Sequence, residues 1–402
     1  MSTTLVSIFL ATSLMVAALS TWSPVTAASE SGSTNGSAMR GAVLDSYVEK
    51  LMARENVKGF ALALIEDDQI THLESYGYRN VEQSLPLETD TIMYGASLTK
   101  AAFSYMVLQL VDEGAIELDQ SIADLLPKPL PQYPDWASLN GDDEWRLLTP
   151  RIILSHSSGL HNLRFLEPDG DLKFHFTPGS EYAYSGEGFY LLQTVLEEGL
   201  GLNVKAEMQR RIFDRFNMPD TDMQWRPEWV GKLADGYAMD NSYEPHDERS
   251  YVSASGSMDT TIADQAAMWQ GMMAGKGLSR EMRTEWTRSQ IAIKTAQKFP
   301  TVELHSTRDQ RGPEISLSAG LGVDTWQGPD GQAFAKGGHN DWTGNLAICQ
   351  EGQNRCIVML ANSVRAEIIF PEIIEAVFGD VGYPWWWTYP NLHGTPIELP
   401  VK

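Results

Sequence analysis

Tyr94-Gly95-Ala96-Ser97-Leu98-Thr99-Lys100 begins in a glycine turn and runs straight into an apolar segment that predicts a helix. Met106, Val107, Leu110 and Val111 form its expected buried stripe, and Gly114 its C-terminal stop. This stretch contains the only S-x-x-K of the chain. Residues three apart on a helix have Cβ atoms about 5–6 Å apart on one face, so the Lys100 amine can reach the Ser97 hydroxyl. A serine hydroxyl is a poor nucleophile at neutral pH. A neighbouring lysine activates it only after losing its own proton, which burial and nearby positive charge favour. Alone, the pair reads more simply as a helix N-cap followed by a solvated lysine, so the rest of the chain has to decide.

The 402 residues, 43% of them hydrophobic, suffice for a large core in one big domain or two intertwined ones. A net charge of −23 argues against nucleic acid or an anionic membrane as partner, because polyanions are repelled. The apolar run Leu5 to Leu19 is too short for a comfortable membrane span, and small residues follow at Val25-Thr26-Ala27-Ala28. That pattern predicts a secretory signal peptide over residues 1–27, although its first residues lack lysine and arginine. The expectation is an exported protein, periplasmic or secreted; an uncleaved N-terminal anchor leaves the same domain outside. Cys349 and Cys356 flank a turn between two strand-like runs. An oxidising compartment allows a disulfide there, and two buried thiols fit equally. Two cysteines, eight scattered histidines and no H-E-x-x-H give no metal-ligand cluster, so neither metal nor cofactor is expected.

Residues 28–40, rich in Gly and Ser, read as a flexible linker. Leu44, Val48, Leu51 and Met52 recur at helical spacing up to about Glu55. Gly59 to Ile65, a turn at Asp67-Asp68, and a return from Ile70 to Tyr78 predict an antiparallel hairpin. From the Ser97 helix to about Pro300 the signals are helical or loop-like, with helices expected at Phe189 to Leu200, Val204 to Phe216 and Ile262 to Met273. Strands return at Ile315 to Val323, Gln332 to Lys336, Asn345 to Cys349 and Cys356 to Ala361, and Glu367 to Phe378 closes with a helix. The predicted fold class is α+β: an antiparallel sheet completed by both chain ends (residues 41–95 and 310–384) and flanked by helices. A large, mostly helical domain is inserted at 96–309, and a tail follows at 385–402. A site is expected in the cleft where the Ser97 helix begins.

The ordered set of motifs resembles the serine β-lactamase and penicillin-binding-protein superfamily, in its class C-like branch. Beyond Ser97-Leu98-Thr99-Lys100, the likeness rests on Thr149 to Leu160 with its Ser155-His156-Ser157-Ser158-Gly159 turn, and on Pro178-Gly179-Ser180-Glu181-Tyr182-Ala183-Tyr184-Ser185. Gly256-Ser257-Met258-Asp259-Thr260 and Lys336-Gly337-Gly338 complete it. The resemblance implies a β-lactamase/transpeptidase-like fold and a Ser97 acyl-enzyme, with Lys100 and Tyr184 as the general base and acid. Lys336 matches the lysine of K-T-G, on an edge strand lining the cleft, where its charge would attract a substrate carboxylate. Gly337 and Gly338 would let substrate approach the backbone, and the amides of Ser97 and His339 would form the oxyanion hole. A buried structural tyrosine and a solvated strand lysine are the plain alternatives for Tyr184 and Lys336. One position departs from the pattern: Gly186 stands where the Y-x-N element has the asparagine that holds a substrate amide. That favours an esterase or D-amino-acid peptidase over a working class C-like β-lactamase. The expected partner is a small ester, amide or D-amino-acid peptide. A penicillin-binding-like protein without chemistry that binds an envelope ligand is the rival from another class. The absence of G-x-S-x-G speaks against another hydrolase fold. His156 is assigned to packing, and Trp385-Trp386-Trp387 to sealing a core rather than to binding.

Overall fold

The computed structural model describes residues 38–299 and 301–394. The expected signal peptide and most of the linker lie outside the described residues, as do the last eight residues of the tail. The opening helix spans Gly41–Glu55, and Asn56 caps it in the left-handed region. The hairpin follows as Gly59–Glu66 and Gln69–Asn80. Asp67 and Asp68 both take positive φ (50° and 61°), the geometry that matches a two-residue turn to strand twist.

Among the described residues nine strands form one antiparallel sheet. Gly59–Glu66 pairs with Gln69–Asn80 on one side and with the late strand Arg355–Ala361 on the other, so both ends of the chain complete the sheet. Outward from Arg355–Ala361 come Gly344–Gln350, Gly331–His339 and Asp324–Gly328. The near-continuous apolar reading of Gly59–Glu66 has its cause in burial on both faces. Ala61, Ala63 and Ile65 pack toward the Leu98–Asp112, Gly186–Leu200 and Ile262–Met273 helices. Phe60, Leu62 and Leu64 pack toward the Gly41–Glu55 and Phe370–Phe378 helices. Cys349 and Cys356 face each other across their ladder, 4.1 Å apart at Cα, and are joined by a disulfide.

Three expectations differ from the structure. Ile315 to Val323 forms a strand only at Ser318–Ala319, because its backbone bonds turn back locally, Leu317 N–H to Gly312 O and Gly320 N–H to Val323 O. The neighbouring strand is instead Asp324–Gly328. The Leu98–Asp112 helix is buried on every side from Leu98 to Leu110, so it runs through the core rather than presenting one stripe. The helix expected to run to Phe216 passes from α-helical Val204–Met208 into a π-turn at Gln209–Phe213.

Candidate active site

Ser97 occupies the N-cap of the Leu98–Asp112 helix, yet its side chain makes no capping bond. Its Oγ instead accepts a hydrogen bond from Lys100 Nζ at 3.0 Å. The residue before it, Ala96, sits at φ 46°, a strained setting for a side-chain-bearing residue that is held from both sides. Gly95 N–H donates to Met258 O (2.9 Å), Thr99 Oγ1 accepts from Met258 N–H (3.1 Å), and Asn345 Nδ2 donates to Tyr94 O (2.9 Å). The Gly256 to Thr260 segment therefore braces the nucleophile turn. The Ser97 N–H has no backbone partner among the described residues, at the end of the helix where the dipole favours negative charge.

Lys100 is 2% exposed, and its Nζ also donates to Ser255 O at 2.5 Å. Burial pushes its pKa down to about 8; Tyr184 opposes the shift and the charge of Lys336 adds to it. Tyr184, also buried, accepts a hydrogen bond at its phenolic oxygen from Lys336 Nζ at 3.0 Å. Lys336 is pushed down to about 7, first by burial and then by Lys298, with Asp324 opposing. The Nζ atoms of Lys100, Lys298 and Lys336 lie 5.1, 5.1 and 4.5 Å from the Tyr184 ring centroid. Two depressed lysines at this phenol give a centre able to take a proton near neutral pH.

The sequence did not point to Lys298. It is buried and paired with buried Asp324 at 2.7 Å, and its Nζ lies 5.2 Å from the Trp387 ring centroid. Trp387, completely buried, donates from Nε1 to Thr295 at 3.1 Å and forms part of the floor under Lys298. His156 stacks on Tyr184 with centroids 4.1 Å apart, and its Nδ1 accepts the Ser185 N–H at 3.2 Å. Burial, then the charges of Lys336, Lys100 and Lys298, hold it well below the ordinary histidine value, so it packs as a neutral ring.

These groups meet at a cleft of ≈ 490 Å³, whose walls include Ser97, Tyr184, Lys298, Gly337, Gly338 and His339. Leu163, Phe165, Phe299 and Tyr389 give it an apolar rim. Lys336 is 1% exposed and lies behind Tyr184 rather than on the wall. Its strand is not an edge strand. Pairing with Asp324–Gly328 ends at Ala335, so only Lys336 to His339 are free on that side. The two glycines differ in purpose. A Cβ on Gly338 would lie 2.4 Å from Gly95 O and 3.2 Å from Ser97 N, so this glycine lets the strand close on the nucleophile turn. Gly337 has no such constraint, its nearest neighbour being 3.5 Å away. His339 is anchored by Nδ1 to Glu367 Oε1 at 2.7 Å.

A family model described as Beta-lactamase matches residues 44–369, and the chain belongs to that family. It is 27% identical to a D-aminopeptidase of Gluconobacter oxydans over 44% of this chain and 34% of that one. It is 24% identical to penicillin-binding protein 4* of Bacillus subtilis over 52% and 49% of the two chains. These matches span half or less of those relatives' length. The D-alanyl-D-alanine-carboxypeptidase/endopeptidase AmpH of Escherichia coli is 23% identical over 65% of this chain and 68% of its own. In fold, the chain is similar to an octameric penicillin-binding protein homologue from Pyrococcus abyssi (TM-score 0.66, 18% identity, 84% of this chain and 77% of that one). It is also similar to the D-alanine carboxypeptidase AmpC from Burkholderia cenocepacia (TM-score 0.63, 16% identity, 84% and 96%).

Proposed function

We propose that this member of the beta-lactamase family is an exported serine hydrolase that cleaves esters or amides, D-amino-acid peptides among them, through a Ser97 acyl-enzyme. The observation that carries the reading is the 3.0 Å contact between Lys100 Nζ and a Ser97 Oγ free of any capping duty, in a site that pushes the amine down to about 8. The Ser97 proton passes to the Lys100/Tyr184 pair as Oγ attacks the substrate carbonyl. The Ser97 N–H, joined by that of His339, holds the oxyanion. Tyr184, resupplied by Lys336, protonates the leaving group, and water then releases the acid by the reverse relay. The names of the D-aminopeptidase and carboxypeptidase relatives support a D-peptide substrate, and the apolar rim suits an uncharged acyl group. For export the support is the N-terminal apolar run of the sequence; among the described residues no helix is long and apolar enough to cross a membrane.

The test is hydrolysis of p-nitrophenyl acetate and butyrate by the wild-type protein and by Ser97→Ala, both shown folded, with whole-protein mass recorded for a trapped acyl group. Activity and an adduct are expected only with Ser97 present. Equal activity from Ser97→Ala, or none from either protein on esters and on D-alanyl peptides, removes the reading.

A further inference from the structure

Two separate stretches of chain carry the apolar rim of the cleft. Leu163 and Phe165 stand on the loop that follows the turn at Gly159, and Phe299 on the segment that leaves Lys298. All three are exposed, at 38%, 72% and 39%. Side chains with so little packing of their own take their spacing from whatever holds the two stretches together.

The loop is braced internally around Glu167, which is 3% exposed. Its Oε1 accepts from His175 Nε2 at 2.7 Å, and Lys173 Nζ lies 3.5 Å from its Oε2. The His175 N–H donates to Gly159 O at 2.9 Å and closes the loop on the turn. The other segment starts from the buried Lys298–Asp324 pair and runs into the short turn Val302–Leu304. One hydrogen bond joins the two. His161 Nε2 meets Glu303 Oε1 at 3.2 Å, and among the described residues no other hydrogen bond or ion pair links 160–175 to 298–305. The tautomer follows from the backbone: His161 Nδ1 accepts the Asn162 N–H at 3.0 Å, so the ring proton is on Nε2 and points to the carboxylate. The His161 side chain is 2% exposed and that of Glu303 35%, so the imidazole is the fixed half of the contact. His161, Glu167, His175 and Glu303 line a cavity of ≈ 170 Å³. Side-chain packing therefore leaves space between the stretches, and beside the hydrogen bond stands only the contact of Phe176 with His305, ring centroids 5.1 Å apart.

We propose that His161 and Glu303 are positioning residues whose hydrogen bond sets the distance between the two apolar walls of the cleft mouth, and with it the preference for acyl groups long enough to touch both. Neither residue lines the cleft. This rests on the acyl-enzyme reading above. Two esters separate the effects: p-nitrophenyl acetate offers a single methyl group, and p-nitrophenyl hexanoate a chain able to reach the rim. Each methylene buried is worth about fourfold.

In full-length protein, Glu303→Ala should lower kcat/KM on the hexanoate about fourfold, the contact of one methylene, and leave the acetate within about twofold of wild type. Glu303→Gln keeps an oxygen for the His161 N–H and should restore the hexanoate to within about twofold. Equal changes on both esters, an unchanged hexanoate, or a Glu303→Gln enzyme as poor on the hexanoate as Glu303→Ala would each overturn the proposal. So would a wild-type protein that turns over neither ester. Ser97→Ala is run alongside. If it retains turnover, the acyl-enzyme reading falls; if it is dead while Glu303→Ala keeps the wild-type preference, only the positioning pair falls.

Discussion

Lys298→Met keeps most of the side-chain volume and removes the ammonium from a buried ion pair. Lys298 and Asp324 are 5% and 2% exposed and 2.7 Å apart, so the substitution strands a carboxylate with no water to solvate it. Breaking such a pair from one side costs about 3–5 kcal/mol. Adding Asp324→Asn removes the stranded charge and should return at least about half of that loss, since a buried pair replaced on both sides is often close to neutral. The same substitution also acts on the proton inventory. The groups facing Lys336 are Lys298 and Asp324 with Lys100, His156 and the Tyr184 phenol. In the intact site burial and then Lys298 lower Lys336 to about 7 while Asp324 opposes. Losing Lys298 removes a repulsion and frees the attraction of Asp324, so both changes raise it. Lys336 then holds its proton to higher pH, and the limb of the kcat/KM profile that it governs moves to higher pH. Urea unfolding at pH 7.5 reads the first effect and ester hydrolysis from pH 5.5 to 9.5 the second. A stability loss below about 1 kcal/mol together with an unmoved limb would refute the assignment of Lys298 as a charge held under Tyr184.

Gly186→Ala should destabilise the protein by about 2 kcal/mol, because its Cβ meets a backbone oxygen fixed by two helix N–H groups; an unfolding midpoint equal to wild type would count against that packing. Lys100→Ala should abolish ester turnover while circular dichroism stays native, and near-wild-type rates would remove Lys100 as the base. In the wild-type protein kcat/KM should pass through a maximum between pH about 7 and about 8, since Lys100 is useful only once neutral and sets the rising limb, while Lys336 must keep the proton it resupplies and sets the falling one; a rate that is flat from pH 6 to 9 contradicts it.

The nucleophile and its lysine were legible because their relation is local: three residues on one helix turn fix the contact, and the folded chain only had to bury it. The hairpin was legible for the same reason. Sheet order at the far side was not. Asp324–Gly328 has too few apolar residues to announce a strand, while the more apolar Ile315 to Val323 spends its backbone bonds on turns. The Arg280–Thr287 helix was missed because among its eight residues only Trp286 is a buried hydrophobic, and its start rests on the Ser279 cap.

At the site, the unread residue is one whose partners lie far along the chain. Lys298 carries meaning only against Asp324 and Tyr184, whereas His156, read as a packing residue, is the ring stacked on that phenol. Gly186 too is explained only by a distant group. Asn162, 24 residues earlier, accepts from the Gly186 N–H at both its backbone oxygen and its Oδ1. A Cβ at 186 would stand 2.7 Å from that backbone oxygen, so the glycine is the condition for the close approach of loop and helix start.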